Sequence, residues 1–425
     1  MMEQIPPCGR NDDETSHVID RMCPVRDKIL VEKERIKTLF LPHSKHPLAL
    51  ICNPLARICN PCHLLNLILI IPILLLLFSA CSNQKPPTDK PLSSYIPQYA
   101  TGFKIHYFAD YKMIETAEHC YYLTKNPAQI KQKDAVVIPI PIQNMACMAQ
   151  SHWTAACILD EMESVSGICD GKYISDTLFQ ERFKQGAIKN FAENQTINYE
   201  LLFSLKPQLL MLSFDNQQTN NMLKNIGIPV ALNSDFLENH PLGRAEWLIF
   251  VSAFYDKDEE AKLFFNRSVE QYKALCALIE RQATERPTIF DGAESIGILY
   301  VSGGKSFMAQ FYADAGADYV WKDNAEYGSF PIDFETLYYK GITTDFWRTY
   351  LPRAKSYQDV ANENKLYTDF KAWKERHIFY CDNLRTDLFG MGVYQPEVVL
   401  ADMIKIFHPE LLPEHTTRYY DLLKE

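Results

Sequence analysis

Hydrophobic and polar positions alternate at short range through most of the chain. Phe103 to Ala109 (FKIHYFA) and Cys120 to Thr124 are aromatic and β-rich, and they predict an antiparallel strand pair across a polar stretch. The short apolar runs Ala135 to Ile140 and Asn144 to Met148 predict buried strands. Ser151 to Met162 has helical spacing with Ser151 as N-cap, and Val165 to Ile168 is a strand closed by a turn at Asp170-Gly171. Next come a helix (Asn198 to Leu205), a strand (Leu209 to Ser213), a helix (Thr219 to Ile226) and a strand (Ile228 to Leu232). Strand and helix in turn, joined by short links, predict βαβ units and a parallel sheet.

Between Pro241 and Arg281 the period changes. Trp247, Phe250, Val251, Phe254, Leu263, Phe264, Val269, Tyr272, Leu275 and Leu278 repeat at helical spacing, with an interruption near Asp256-Lys257-Asp258. About forty helical residues would span about 60 Å, more than one lobe needs. Alternation resumes after Pro287. It predicts a strand at Gly297 to Val301, a Gly-rich turn at Ser302 to Ser306 and helices at Phe307 to Ala315 and Asp333 to Tyr339. Strands at Thr344 to Trp347 and Ile378 to Cys381 follow, then a helix from Pro396 to Phe407. The fold class expected is α/β, and the long helical stretch would form the backbone between two lobes.

The first eighty residues have another character. Leu64 to Phe78 (LLNLILIIPILLLLF) is uncharged and about fifteen residues long, short of the roughly twenty that span a bilayer. Ser79-Ala80-Cys81 follows it, then the polar, proline-bearing stretch from Ser82 to Pro87. This order resembles a bacterial lipoprotein signal, with Phe78 where leucine is usual. The resemblance makes Cys81 the lipid-attached first residue of the mature chain. The mixed polar residues ahead of the apolar run fit an upstream start codon assigned in error. Residues 1–80 are therefore read as N-terminal extension and signal peptide, and 81–100 as a tether. An N-terminal lobe spans 101–240, a spine 241–282 and a C-terminal lobe 283–425.

The net charge is −10, and the acidic excess falls on the body, which excludes a nucleic-acid partner. Cys59 and Cys62 form a C-x-x-C without a second pair, so they do not define a metal site. The body cysteines follow no framework, and their pairing stays open. Ser302 to Ser306 ends like a phosphate-binding loop, but Leu299 stands where that loop needs glycine. Neither a G-x-S-x-G elbow nor an H-E-x-x-H occurs. No catalysis, cofactor or metal-ligand set is expected.

Several stretches, in order, carry a wider resemblance. They are Asn198 to Leu210 (NYELLFSLKPQLL), Gly227 to Val230 (GIPV), Pro241 to Trp247 (PLGRAEW), Ser302 to Ala309 (SGGKSFMA), Ala313 to Asp318 (ADAGAD) and Ala401 to Pro409 (ADMIKIFHP). Together they resemble the periplasmic binding proteins for ferric siderophores, haem and cobalamin over roughly residues 101–420, with Gln208 where aspartate is usual. The resemblance implies two Rossmann-like lobes joined by a long rigid helix, with the ligand cleft between the lobes, in a monomeric lipoprotein that hands a metal chelate to the membrane-spanning subunits of an ABC importer. It also implies that Glu200 and Glu335, one per lobe, dock on arginines of those subunits. Open α/β sheets bind ligands at strand C-termini. That rule places Gln150, Ser151, His152, Trp153 and Tyr173 on one cleft wall, and Lys305, Ser306, Arg385, Phe389 and Tyr394 on the other. Aromatic and arginine side chains suit a planar or anionic chelate. A stand-alone binding or sensing lipoprotein is the alternative, with a hydrolase behind it.

Overall fold

The computed structural model describes residues 90–132, 135–295, 297–349, 356–382 and 385–424. The apolar run at 64–78 and Cys81 lie outside the described residues.

The first sheet runs in chain order: β1 (Ser93–Tyr95), β2 (Phe103–Tyr107), β3 (Tyr111–Thr116), β4 (Cys120–Thr124) and β5 (Val136–Pro139). Its pairs are antiparallel except β4–β5, which is parallel. The expected pair of β2 and β4 is corrected, because the stretch between them is itself β3. Ile114 of β3 stands between Ile105 and Tyr121, so all three bury on one face.

The second sheet alternates with helices as the pattern required. Its elements are β6 (Met145–Cys147), α1 (Gln150–Ile158), β7 (Val165–Cys169), α2 (Thr177–Lys184), β8 (Lys189–Glu193), β9 (Thr196–Ile197), α3 (Tyr199–Leu205), β10 (Leu209–Leu212), α4 (Gln217–Asn225) and β11 (Val230–Leu232). The strand order is β11-β10-β6-β7-β8-β9, parallel except at β9. Both faces are covered: Met145 and Cys147 belong to the main core, and Ala146 packs with Phe191, Leu202 and Leu223 on the other side. Gln208 earns its place by its amide oxygen, which accepts from the Gln143 N–H (2.6 Å) and Asn144 N–H (3.1 Å). The N-cap of α1 is Ala149, without a side-chain cap, and Ser151 lies inside the helix.

The expected single spine is two helices, α5 (Pro241–Tyr255) and α6 (Asp258–Gln282), packed on each other. Asp256 ends α5 with a left-handed φ of 61°, which no continuing helix accommodates. All of α5 except Arg244 is buried. Two of its surroundings are held by carboxylates. Glu246 accepts from Tyr95 Oη (2.5 Å) and the N–H groups of Gln98, Tyr99 and Ala100 (2.7–2.8 Å). Glu238 accepts from Thr101 N–H (2.9 Å), Gly102 N–H (3.1 Å) and Trp247 Nε1 (2.9 Å). The strand entering the first sheet is thereby clasped to the central helix.

The third sheet contains β12 (Thr288–Ser295), β13 (Ile298–Ser302), β14 (Asp318–Tyr319), β15 (Ser329–Ile332), β16 (Phe346–Thr349), β17 (Ile378–Tyr380) and β18 (Asp421–Leu422). Around it lie α7 (Phe307–Asp314), α8 (Phe334–Gly341), α9 (Tyr357–Glu363), α10 (Lys371–Lys374), α11 (Met391–Tyr394) and α12 (Pro396–Phe407). β12 is parallel to β14 and β16, and β16 to β17, whereas β13, β15 and β18 add antiparallel pairs. One apolar core runs from Phe103 and Trp153 through Phe250 of α5 to Tyr312 and Leu400. The molecule is thus an α/β protein with two lobes sharing α5.

Candidate functional site between the lobes

Arg244 is the residue of α5 that escapes the core. Its guanidinium donates to Asp235 Oδ2, from Nη2 at 2.8 Å and Nε at 3.3 Å. The same group lies over the Phe307 ring at 4.4 Å. Asp235 follows β11 in one lobe and Phe307 opens α7 in the other, so Arg244 spans the seam. A second crossing joins Gln150 Nε2 at the start of α1 to Asp387 Oδ1. Asp387 Oδ2 also accepts from Met391 N–H at 2.8 Å. Burial pushes the Asp387 carboxyl up, and the nearby Asp176 charge adds to it, against those two hydrogen bonds. The start of α1 and the residues around Asp387 therefore face each other. Gly390 is required there, since a Cβ would fall 2.2 Å from Asp387 Oδ1 and 2.5 Å from Thr154 Oγ1. A third crossing is Tyr394 Oη donating to Ser151 O at 3.1 Å.

The expected cleft residues divide into two groups. Tyr173 is half-buried with Lys172 5.1 Å over its ring, Lys305 is exposed 5.3 Å over Tyr327, and Arg385 and Phe389 are exposed. Gln150 lies at the seam. In contrast, Ser151, His152, Trp153, Ser306 and Tyr394 are interior, and their expected place on an open wall is corrected. The cause is that α1 is enclosed on every side, with all of 151–156 buried. Trp153 packs edge-on to Phe179 at 5.2 Å. His152 is fully buried with neither ring nitrogen hydrogen-bonded. Burial lowers its pKa to about 4, and the Asp235 charge and the nearby Met211 backbone recover only part of that. Ser306 caps α7, its Oγ accepting from Ala309 N–H at 3.2 Å.

The Gly-rich turn is filled by protein. Gly303 N–H donates to Gly328 O (2.7 Å) and Lys305 N–H to Glu326 O (3.0 Å). A Cβ on Gly303 would lie 2.2 Å from Glu326 O. Amides committed to carbonyls, with other carbonyls crowding them, leave no cradle for phosphate.

Glu200 and Glu335 share one local build. Each is exposed at the second position of its helix, after an aromatic first residue and a capping side chain. Asn198 Oδ1 accepts from Leu201 N–H at 3.0 Å, and Asp333 Oδ1 from Thr336 N–H at 2.6 Å. Leu202 and Leu337, two residues beyond each glutamate, are buried. Arg244, Asp235 and Asp387 were missed from sequence. A signal existed for the first, since Arg244 and Glu246 are the charges in an otherwise apolar helix.

Two α/β lobes on a shared buried helix, bridged by polar crossings at Arg244, Gln150 and Tyr394, define a two-lobed α/β architecture. The chain belongs to the periplasmic binding protein family, whose sequence pattern matches residues 161–384. An uncharacterized lipoprotein of Methanocaldococcus jannaschii is 26% identical over 379 residues, 80% of this chain and 89% of its own length. Among solved structures, the periplasmic haem-binding protein RhuT of Roseiflexus superposes with a TM-score of 0.52 at 19% identity, over 64% of this chain and 99% of RhuT. The molybdate-binding protein MolA of Haemophilus influenzae superposes at 0.51 and 12% identity, over 65% and 89%. These similarities establish the fold.

Proposed function

We propose that this chain is an extracytoplasmic lipoprotein, held by lipid on Cys81, that binds a metal chelate and delivers it to an ABC importer. The chelate classes that fit are ferric siderophore, haem and cobalamin. The observation that carries the delivery role is the matched pair of helices bearing Glu200 and Glu335, one on each lobe. Two exposed carboxylates in equivalent frames set a docking register for a partner with two basic patches. The ligand class is supported by accessible cations and aromatics that we assign to the cleft walls: Tyr173 with Lys172, Lys305 with Tyr327, Arg385 and Phe389. Such groups stack on planar ligands and bond their carboxylates. The shared apolar core keeps the lobes in a nearly fixed relation, so affinity comes from a preformed seam. The M. jannaschii relative, named a lipoprotein, is in keeping with the anchor.

Two measurements test this reading. Tryptophan fluorescence is followed while haemin, cobalamin or a ferric siderophore is added, and saturable sub-micromolar quenching by one of them is expected. Failure with all three overturns the chelate assignment. Reversing both charges (Glu200→Arg with Glu335→Arg) is expected to abolish ligand-stimulated ATPase activity of the importer, with ligand affinity within about twofold of the parent. Unchanged stimulation would replace delivery with a stand-alone binding role.

A further inference from the structure

A cluster away from the three seam crossings has the makings of a metal site. Glu118 and His119 occupy the turn between β3 and β4, and Asp215 follows β10 in the other sheet of the same lobe. One ligand atom from each lies within 4.8 Å of the other two. Tetrahedral zinc ligands at about 2.1 Å from the ion are about 3.4 Å apart, so closure needs only small side-chain rotations.

Four features set this trio apart from a chance group of surface acids. His119 Nε2 is shielded from solvent without a hydrogen-bond partner. It faces Asp215 Oδ2 at 3.9 Å, beyond hydrogen-bond reach. The turn is fixed, with His119 N–H donating to Thr116 Oγ1 (3.0 Å) and Thr116 N–H to His119 O (2.9 Å). The other Asp215 oxygen is held by the Asn220 amide from α4, an outer partner of the kind that orients a metal-binding carboxylate. A cavity of about 400 Å³ adjoins the site, lined by His119, Tyr121, Val136, Asn220, Ile228 and Leu232.

We propose that Glu118, His119 and Asp215 form a site for a divalent transition metal of the zinc class. An imidazole and two carboxylates suit zinc, whereas calcium requires six to eight oxygens. Three protein ligands leave a coordination position open toward water or a small anion.

The full chain, stripped with EDTA, is titrated with Zn²⁺ and separately with Co²⁺. The parent protein is expected to bind one more Zn²⁺ per chain than His119→Ala does. Cobalt at this site gives d–d bands of nitrogen and oxygen donors, without the near-ultraviolet thiolate band that a cysteine site would add. Asp215→Asn weakens the ion at least tenfold, and Asn220→Ala weakens it about tenfold by freeing the carboxylate. Asp215→Asn keeps the test alive should His119→Ala not fold. Equal stoichiometry and affinity in the parent, His119→Ala and Asp215→Asn, or a cobalt spectrum of thiolate type alone, would overturn the proposal.

Discussion

The two lobes carry outward helices of one design and conceal interiors of opposite kinds. In the N-terminal lobe the parallel sheet is sealed between apolar layers, and the buried imidazole of His152 has no side-chain partner, only the nearby Met211 backbone. In the C-terminal lobe the sheet encloses an ion pair. Asp291 and Arg348 are each 1% exposed and meet at 2.9 Å. Asp291 also accepts from Ser302 N–H (3.0 Å), Ser302 Oγ (2.5 Å), Tyr312 Oη (2.9 Å) and Tyr319 Oη (2.7 Å). Burial alone would raise this carboxyl, but Arg348 and the hydroxyl and amide donors outweigh it and hold the group below the usual range. The contrast teaches that one architecture tolerates either solution. A charge can be interred only with a full set of partners, whereas a neutral imidazole can be interred alone at the expense of its proton.

The largest effect is expected from Asp291→Ala. It leaves Arg348 buried opposite an apolar group, and losing one member of a buried pair destabilises by about 3–5 kcal/mol. Urea unfolding of the parent and the variant measures it. Replacing both members (Asp291→Leu with Arg348→Met) is expected to recover part of that loss, because the stranded charge is then gone while Ser302 and Tyr312 lose the Asp291 carboxylate as acceptor. A loss under about 1 kcal/mol for the single variant would mean that water reaches Arg348 and the interiors do not differ as described.

Much of this architecture was legible in the sequence because its signals are local. The helix from Pro396 to Phe407 starts at a proline at N1 and has the bounds read from its pattern. Glu200 and Glu335 were legible near the starts of helices read from Asn198 and Asp333, residues that prove to be the caps. What escaped was non-local. The stretch Tyr111 to Thr116 looks polar alone and becomes a strand because both neighbours pair with it. The α2–β8 unit was not singled out, since Lys189 to Glu193 places only Phe191 and Ala192 in the core. His152 and Trp153 sit near a strand C-terminus, where ligands bind, yet the packing of α1 encloses them. Periodicity reports that a residue is inside, not whether a cleft reaches it. Arg244 meets Asp235 and Phe307 only through the fold.

The next effect separates the lobes by pH. The folded-state pKa of His152 lies near 4, below its ordinary 6.5. The unfolded chain therefore binds the extra proton first, and stability falls as pH drops from about 6.5 to 4. At about 1.4 kcal/mol per pH unit, the contribution is about 3 kcal/mol. The Asp291 pair acts in a different window, since a lowered carboxylate loses its contribution only as pH falls below about 3.8. Asp314, Asp387, Glu397 and Asp402 have raised pKa values and act in the opposite direction, losing stability as pH rises. The measurement is thus the difference between the parent and His152→Leu across pH 4–7. For Asp291→Asn the difference from the parent should be large but nearly constant over the same range, because that carboxylate stays ionised throughout. A flat difference for His152→Leu would mean that the imidazole finds a partner or reaches solvent.

The smallest effect tests whether the outward helices are as alike as they look. Asn198→Ala removes the cap of α3 and should cost about 1 kcal/mol at any pH, because an amide oxygen does not titrate. Asp333→Ala removes the matching cap of α8. The Asp333 carboxyl is held below the usual range by the Thr336 N–H. A lowered carboxylate is at full strength above its unfolded pKa and fades as pH falls through the folded one. The Asp333→Ala loss should therefore be present at pH 7 and diminish toward pH 3, while the Asn198→Ala loss persists. A pH-independent loss in both would mean that Asp333 caps as a neutral acceptor. No loss at Asp333 at pH 7, with a clear one at Asn198, would break the equivalence of the two frames, because Glu335 would then sit on a helix end that needs no cap to hold it.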